Sequence, residues 1–333
     1  MFDTYVGTRS GVYRLDGGAH HLGLPGERVS AIHAFRDGRG ATVLLAGTYG
    51  NGLYRSDDEG RTWEPSGEGM DAPAARTLIP DPLNAGALLC GTEPGRIYRS
   101  ADGGRTWAGL EGITALPTCG DWFLPYSPRA GAVRNILAPS GSHGRLLASL
   151  EVGGLLDSPD GGSSWSIGSV GPNDDIHQIS GAPGSPDVLW CSLGFAALPT
   201  RERGAGAPQL GGVARSRDAG RTWDILHTDY TRSTIVPPAR PDLVLAGPAL
   251  EVGRHGRIEA SADGGDSWEP AAGGLETPFR DMVERFEVAP DGTIYAVTSG
   301  GRLLRSEVGE WRWRSALPEG QAEDAVSVAF LER

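Results

Sequence analysis

The chain of 333 residues carries a formal net charge of −12, with 39% hydrophobic residues, 51 glycines and 24 prolines. That balance argues against general nucleic-acid binding, which needs phosphate-neutralising cations, and against docking on an anionic membrane surface. All 30 basic residues are arginine, so lysine Schiff-base and P-loop chemistry are excluded, and no apolar run approaches transmembrane length.

The chain opens with Met1-Phe2-Asp3-Thr4-Tyr5-Val6-Gly7, which reads as a strand without a basic region or an apolar stretch of signal-peptide length. A cytoplasmic location is the expectation, with a removed signal peptide left open. From residue 56 one pattern recurs. Ser56 to Trp63, Ser100 to Trp107, Ser158 to Trp165, Ser216 to Trp223 and Ser261 to Trp268 all read Ser-x-Asp-x-Gly-x-Thr/Ser-Trp; Ser306 to Trp313 is a worn sixth copy. A short Asp followed by Gly suits a tight turn, because Asp bonds nearby backbone N–H groups and Gly tolerates positive φ. The Trp begins the next strand and offers a large apolar body to bury between sheets. Strand-like runs precede the boxes, as in Gly52 to Arg55, Gly95 to Arg99 and Gly301 to Arg305. Each box is therefore a hairpin corner.

On these boxes the chain resembles the Asp-box (bacterial neuraminidase repeat) family of β-propellers, the sialidase-like superfamily, over nearly its whole length. The resemblance implies that the boxes are scaffold, set on the face away from any active site. No sialidase residue carries over, since the Arg-Ile-Pro motif of that family is absent. Other members are seven-bladed photosystem-assembly factors, which bind partners without catalysis, and large secreted glucanases with paired propellers. Fold alone does not choose among them.

The box aspartates at 58, 102, 160, 218 and 263 are spaced at blade length, about 40–45 residues, apart from two longer steps. The extra residues fall around 112–131, containing Trp122, Phe123 and Tyr126, and around 195–211; such insertions tend to gather on a binding face. Inner strands are expected at Val29 to Phe35, Arg76 to Ile79, Val133 to Leu137, Ile176 to Ile179, Ser233 to Val236, Val283 to Val288 and Ala325 to Phe330. The last has no blade of its own, and Thr4 to Leu24 supplies only three strands. Pairing them closes an all-β, seven-bladed propeller as one domain spanning 1–333, with no open sheet edge.

In such a ring the starts of the inner strands and the second-to-third-strand loops converge on a central mouth. The expected ring is Val326, Ser30, Arg76, Arg134, His177, Ser233 and Glu284, joined by Arg9, Tyr49, Glu93, Glu151, Glu251, Arg254, His255 and Ser299. A one-residue slip would turn a side chain to the other face. The tetrapeptides Leu150 to Gly153 and Leu250 to Gly253 are identical and fall at equivalent places, either as repeat ancestry or as carboxylates projecting into the funnel. Glu151 and His177 could form an acid/base pair, and Arg76 and Arg134 could hold an anion bidentately. Each has a plainer reading, a hydrogen-bonded structural His and arginines paired to Glu93 or to carbonyls. Trp122 and Tyr126 are a stacking wall or a structural cap. His20-His21 lies on an outer strand and His33 reads as packing.

Cys90, Cys119 and Cys191 form neither a disulfide framework nor a zinc motif, and H-E-x-x-H is absent. No cofactor is expected, and a divalent ion in the funnel has no motif behind it. Two functions stay open. One is a hydrolase or lyase acting on a small polar, anionic or glycan-like molecule, with Glu151 and His177 catalytic and Arg76, Arg134, Glu93, Glu251, Trp122, Tyr126 and Tyr49 binding. The other is a non-catalytic propeller that binds a protein partner or ligand on the same face.

Overall fold

The computed structural model describes residues 1–127, 130–196, 210–318 and 324–333. Seven antiparallel sheets succeed one another along the chain. Their inner strands are Val29–Arg36, Ala74–Pro80, Ala132–Leu137, Ile176–Ala182, Tyr230–Ile235 and Val283–Val288 for blades 1 to 6, and Ala325–Glu332 for blade 7. Each blade then runs outward through three more strands, and blade 5 carries an additional short one, Arg254–Gly256. Alternating apolar residues on neighbouring blades bury against each other. The second strands Leu88–Glu93 and Leu146–Glu151, with a sheet on either side, are buried at every position.

Blade 7 is built from both ends of the chain. Ala325–Glu332 pairs with Phe2–Thr8 from Phe2↔Glu332 to Thr8↔Ala325. An edge-on contact of Phe2 with Phe330 at 5.5 Å and a 2.8 Å ion pair from Arg333 to Asp3 complete the seam. All seven expected inner strands are present. In blade 5 the strand begins at Tyr230, three residues before the expected Ser233. Of the two insertions, residues 197–209 and 128–129 lie outside the described residues. Within the first, two short 3-10 turns, Glu111–Ile113 and Cys119–Asp121, bring Ile113, Leu116, Trp122 and Leu124 into the core between blades 2 and 3.

The Asp-boxes are self-contained turns. Asp58 accepts the Ser56 hydroxyl at 2.8 Å, the Thr62 N–H at 2.9 Å and the Thr62 hydroxyl at 2.7 Å, and Ser56 Oγ accepts the Gly60 N–H. The set repeats around Asp102, Asp160, Asp218 and Asp263. Antiparallel order puts these third-to-fourth-strand turns at the end of each blade opposite the start of its inner strand. The residue after each Asp is left-handed, including Glu59 at φ 63° and Ala219 at φ 60°. Its carbonyl is then turned toward the preceding blade, where an arginine takes it: Arg55 bonds Gly103, Arg99 bonds Gly161 at 2.8 Å, Arg145 bonds Ala219 at 2.9 Å and Arg215 bonds Gly264. A guanidinium fork can hold a carbonyl and a carboxylate together, as Arg99 does with Asp81 at 2.6 Å.

Two expectations test this account. Trp107 is 4% exposed and its indole N–H reaches the Ser66 carbonyl of the preceding blade at 2.8 Å. Trp107→Ala should cost about 3–5 kcal/mol by denaturant unfolding. The Thr62, Thr222 and Ser267 bonds lower the carboxyls of Asp58, Asp218 and Asp263 to about 2. A depressed native pKa adds stability above the unfolded value near 3.8 that is lost as pH falls toward 2. The unfolding midpoint should drop across that window, and less steeply in a chain with all three replaced by Asn.

Candidate functional site

The mouth of the ring is made by one irregularity repeated seven times. Each inner strand carries a bulge near its start, where two residues oppose one on the neighbour and the ladder skips. Val29 pairs with Thr48 and Ala31 with Gly47, leaving Ser30 unpaired. The same skip leaves Arg76, Arg134, His177, Glu284 and Val326 out of the ladder. In blade 5 the skip is wider and omits both Arg232 and Ser233. There the expected Ser233 is buried, donating to Gln178 Oε1 at 2.7 Å and accepting the Phe286 N–H at 2.9 Å. Arg232 takes its place at the mouth.

Six arginines, 9, 28, 76, 134, 232 and 285, line a space of ≈ 680 Å³ that opens to solvent, together with Ser30, Tyr49, Glu284, Ser299 and Val326. Arg28, Arg232 and Arg285 were not legible as ring members. Arg28 precedes its strand, and Arg285 follows Glu284, where a regular strand would turn it away. Tyr49 lies between Arg28 and Arg76, whose guanidinium carbons sit 4.9 Å and 5.0 Å from its ring centre, and its hydroxyl reaches Glu93 at 3.2 Å. Glu93 stands behind the mouth, 3.2 Å from Arg76.

Charge is compensated unevenly around this ring. Arg134 pairs with Glu151 at 2.8 Å, and Arg232 pairs with Glu284 at 2.5 Å. Burial works against both guanidinium charges, yet Glu151 and Glu284 override it and raise the two pKa values. Arg28 and Arg285 differ. Burial, then the neighbouring Arg76, lowers Arg28; burial lowers Arg285, Glu287 opposes, and Arg134 and Arg76 lower it further. Arg28 has no ion pair with a described residue, and Glu287 stands 3.8 Å from Arg285.

Glu151 and His177 do meet, with Oε1 3.8 Å from Nδ1, but both are buried. Tyr126, itself half-exposed, hangs over Glu151 with its hydroxyl 3.1 Å from Oε2. Burial would raise the Glu151 carboxyl, and the Arg134 guanidinium beside it holds it well below the ordinary range. Burial lowers His177 to about 3. At neutral pH the pair is a carboxylate beside a neutral imidazole. Trp122 is a core residue rather than a wall of the mouth. Asp175, which sequence reasoning missed, stands 3.6 Å from His177 Nε2.

The two identical tetrapeptides part company. Glu151 lies opposite Ala132, whereas the matching position in blade 5, opposite Tyr230, is Ala249. Glu251 falls two residues farther out, on a hairpin extended by the pair Glu251↔Arg254. Leu150 and Val152 are fully buried; Leu250 and Val252 are 59% and 53% exposed. Glu251 pairs locally with Arg254 at 2.7 Å and His255 at 3.2 Å, so the expected equivalence of the two carboxylates does not hold.

No family model and no curated protein matches this chain. Solved structures share its fold. A GH74 xyloglucanase from Xanthomonas campestris superposes with a TM-score of 0.68 at 20% identity, covering 100% of this chain and 52% of that one. Ycf48 bound to D1 peptide gives 0.59 at 17% identity, covering 92% and 90%. Ycf48 from Cyanidioschyzon merolae gives 0.58 at 17%, covering 92% of each chain. The chain thus spans about half the length of the xyloglucanase it matches. These are distant structural relatives that share the fold, among them a xyloglucanase and a Ycf48 solved with a peptide bound.

The register difference gives a paired test. Glu151→Gln removes one half of a buried ion pair and should cost about 3 kcal/mol or more. Glu251→Gln, in the same tetrapeptide but exposed, should stay within about 0.5 kcal/mol of the parent. Denaturant midpoints with a common slope would measure both.

Proposed function

We propose that this propeller is a recognition module that holds an acidic ligand, a carboxylate- or phosphate-bearing molecule or peptide segment, at the arginine-lined mouth of its channel. The observation that carries the reading is the charge surplus at Arg28 and Arg285. Among the described residues both guanidinium groups sit beside like charges, Arg28 exposed and without a carboxylate partner, Arg285 partly buried with Glu287 no nearer than 3.8 Å. An anion bound between them relieves that repulsion through charge-assisted, bidentate hydrogen bonds. The chain as a whole is acidic, which makes the mouth a local attractor for anions on an otherwise repelling surface. A structure of the same architecture, Ycf48, has been solved with a peptide bound, which agrees with a binding role.

A second reading is hydrolysis or elimination, with Glu151 and His177 exchanging protons and Arg76 and Arg134 orienting the substrate. Their 3.8 Å approach and the fold shared with a xyloglucanase favour it. It requires the segment carrying Tyr126 to lift, since neither group faces the mouth.

Calorimetric titration with a glutamate-rich peptide, citrate, inorganic phosphate and a neutral xylo-oligosaccharide separates the readings. At least one acidic probe should bind, more weakly as salt is raised. Arg28→Gln combined with Arg285→Gln should weaken it at least about tenfold, the loss of roughly one charged hydrogen bond. Salt-independent binding of the neutral sugar alone, or unchanged affinity in the double variant, would overturn the proposal. Turnover of a glycan that disappears in Glu151→Gln while binding persists would establish the second reading instead.

A further inference from the structure

Below the mouth lies an inner space lined in part by His177, Gln178, Arg232 and Glu287. His177 is 2% exposed, and neither of its ring nitrogens has a hydrogen-bond partner. A buried imidazole ordinarily satisfies at least one nitrogen, and leaving both without a partner is destabilising. The atoms facing the ring are carboxylate oxygens, Glu151 Oε1 3.8 Å from Nδ1 and Asp175 Oδ1 3.6 Å from Nε2. Both distances are too long for hydrogen bonds.

We infer that Glu151, Asp175 and His177 form a site for a divalent first-row transition ion, of the zinc or manganese class. One nitrogen and two carboxylates are a donor set that such ions accept, while a purely oxygen-lined cage would favour calcium or magnesium. One donor atom from each of the three residues can be chosen so that all lie within 4.8 Å of one another. Two ligands on one tetrahedral ion sit about 3.3 Å apart, from bond lengths near 2.0–2.1 Å. The cluster must therefore draw in by about an ångström or less from each side.

The surroundings leave the needed lone pairs available. Arg134 and Tyr126 engage Oε2 of Glu151, so Oε1 remains open. Asp175 accepts only backbone N–H groups among its described bonds, from Ala196 at 3.0 Å and weakly from Val152 at 3.4 Å. Gly194 passes directly alongside; a Cβ there would collide with the Asp175 carboxylate and the His177 ring, so the missing side chain leaves this flank clear. Two carboxylates buried this closely call for a counter-charge, which an ion would supply. The same ion would give one of the two ring nitrogens of His177 the partner it lacks. Water filling the remaining coordination positions can enter through the inner channel space.

The test uses the whole 333-residue chain with the exposed neighbours His20 and His21 replaced by Gln, removing an adventitious surface chelate. After exposure to Zn²⁺ or Mn²⁺ and dialysis, elemental analysis should find about one ion per chain for one of the two metals. Thermal unfolding should shift upward with that metal and return on adding chelator. X-ray absorption at the metal edge should show imidazole and oxygen scattering without sulfur. His177→Asn and Asp175→Asn should each lower affinity at least about tenfold, whereas Glu93→Gln, the corresponding acid of blade 2, should leave it unchanged. Absence of stoichiometric metal in the parent chain would overturn the inference even if the buried variants failed to fold. Retention of full affinity in a folded His177→Asn chain, or a sulfur-containing coordination shell, would overturn it equally.

Discussion

The ring stands on the pairing of Phe2–Thr8 with Ala325–Glu332. A propeller blade cannot bury both its faces alone; each sheet needs a neighbour on either side, and the seventh interface exists only if the two ends of the chain share a blade. That closure removes the last exposed sheet edge. It also fixes how far each inner strand is rotated about the axis. Seven bulges at matching heights then aim seven side chains into one channel, although they come from positions as distant in sequence as Ser30 and Val326. A regular ladder would have turned alternate residues into the blade interfaces. The bulge is what lets a polar side chain leave the sheet at the same level in every blade.

The arginine-only composition is used in two opposed ways. On the far face, Arg55, Arg99, Arg145 and Arg215 reach from one blade to the box turn of the next, each bound to a backbone carbonyl. Those contacts are local and neutralised, for instance by Asp157 for Arg145. At the mouth, guanidinium groups face one another across a narrow space. Glu151 and Glu284 outweigh desolvation for Arg134 and Arg232, while nothing of comparable reach does so for Arg28. The balance follows from distance: Coulomb attraction at about 3 Å in a protein interior exceeds the repulsion of like charges farther apart, and it falls as 1/r. So the mouth divides into arginines that maintain the structure and arginines with charge to spare.

The fold was legible because its determinants are local. Asp followed two residues later by Gly, with Ser two residues before and Ser or Thr four residues after, specifies a turn by hydrogen bonds within eight residues. Repetition then specifies the ring. The site was legible only in part because it depends on register, which the boxes do not set. Six of the seven bulge residues could be aligned by counting from strand starts, but the wider skip in blade 5 moved Arg232 into the place assigned to Ser233. Alternation also hid Arg285, since a bulge presents two neighbours to one space. The repeated Leu-Glu-Val-Gly was the most misleading signal. Hairpin length, two residues greater in blade 5, decides whether its Leu and Val are core or tip, and nothing within the tetrapeptide encodes it. Asp175 was missed for a related reason: it enters the cluster from the loop before its strand, where no periodicity marks it.

The mouth and the buried cluster are one electrostatic system, because Arg134 belongs to both. One nitrogen holds Glu151 Oε2 at 2.8 Å, and the other lies 3.7 Å from Glu284, the carboxylate that also anchors Arg232. Any group that alters the charge on Glu151 changes what Arg134 can offer to the channel. Conversely, an anion drawn to the mouth competes with Glu151 for the same guanidinium. In water such an influence would be screened within a Debye length of about 8 Å; inside the ring, with low-dielectric sheets on all sides, it is transmitted with far less loss. The chemistry of the channel is therefore set less by any single residue than by how one arginine divides its charge between a buried acid and an open pore.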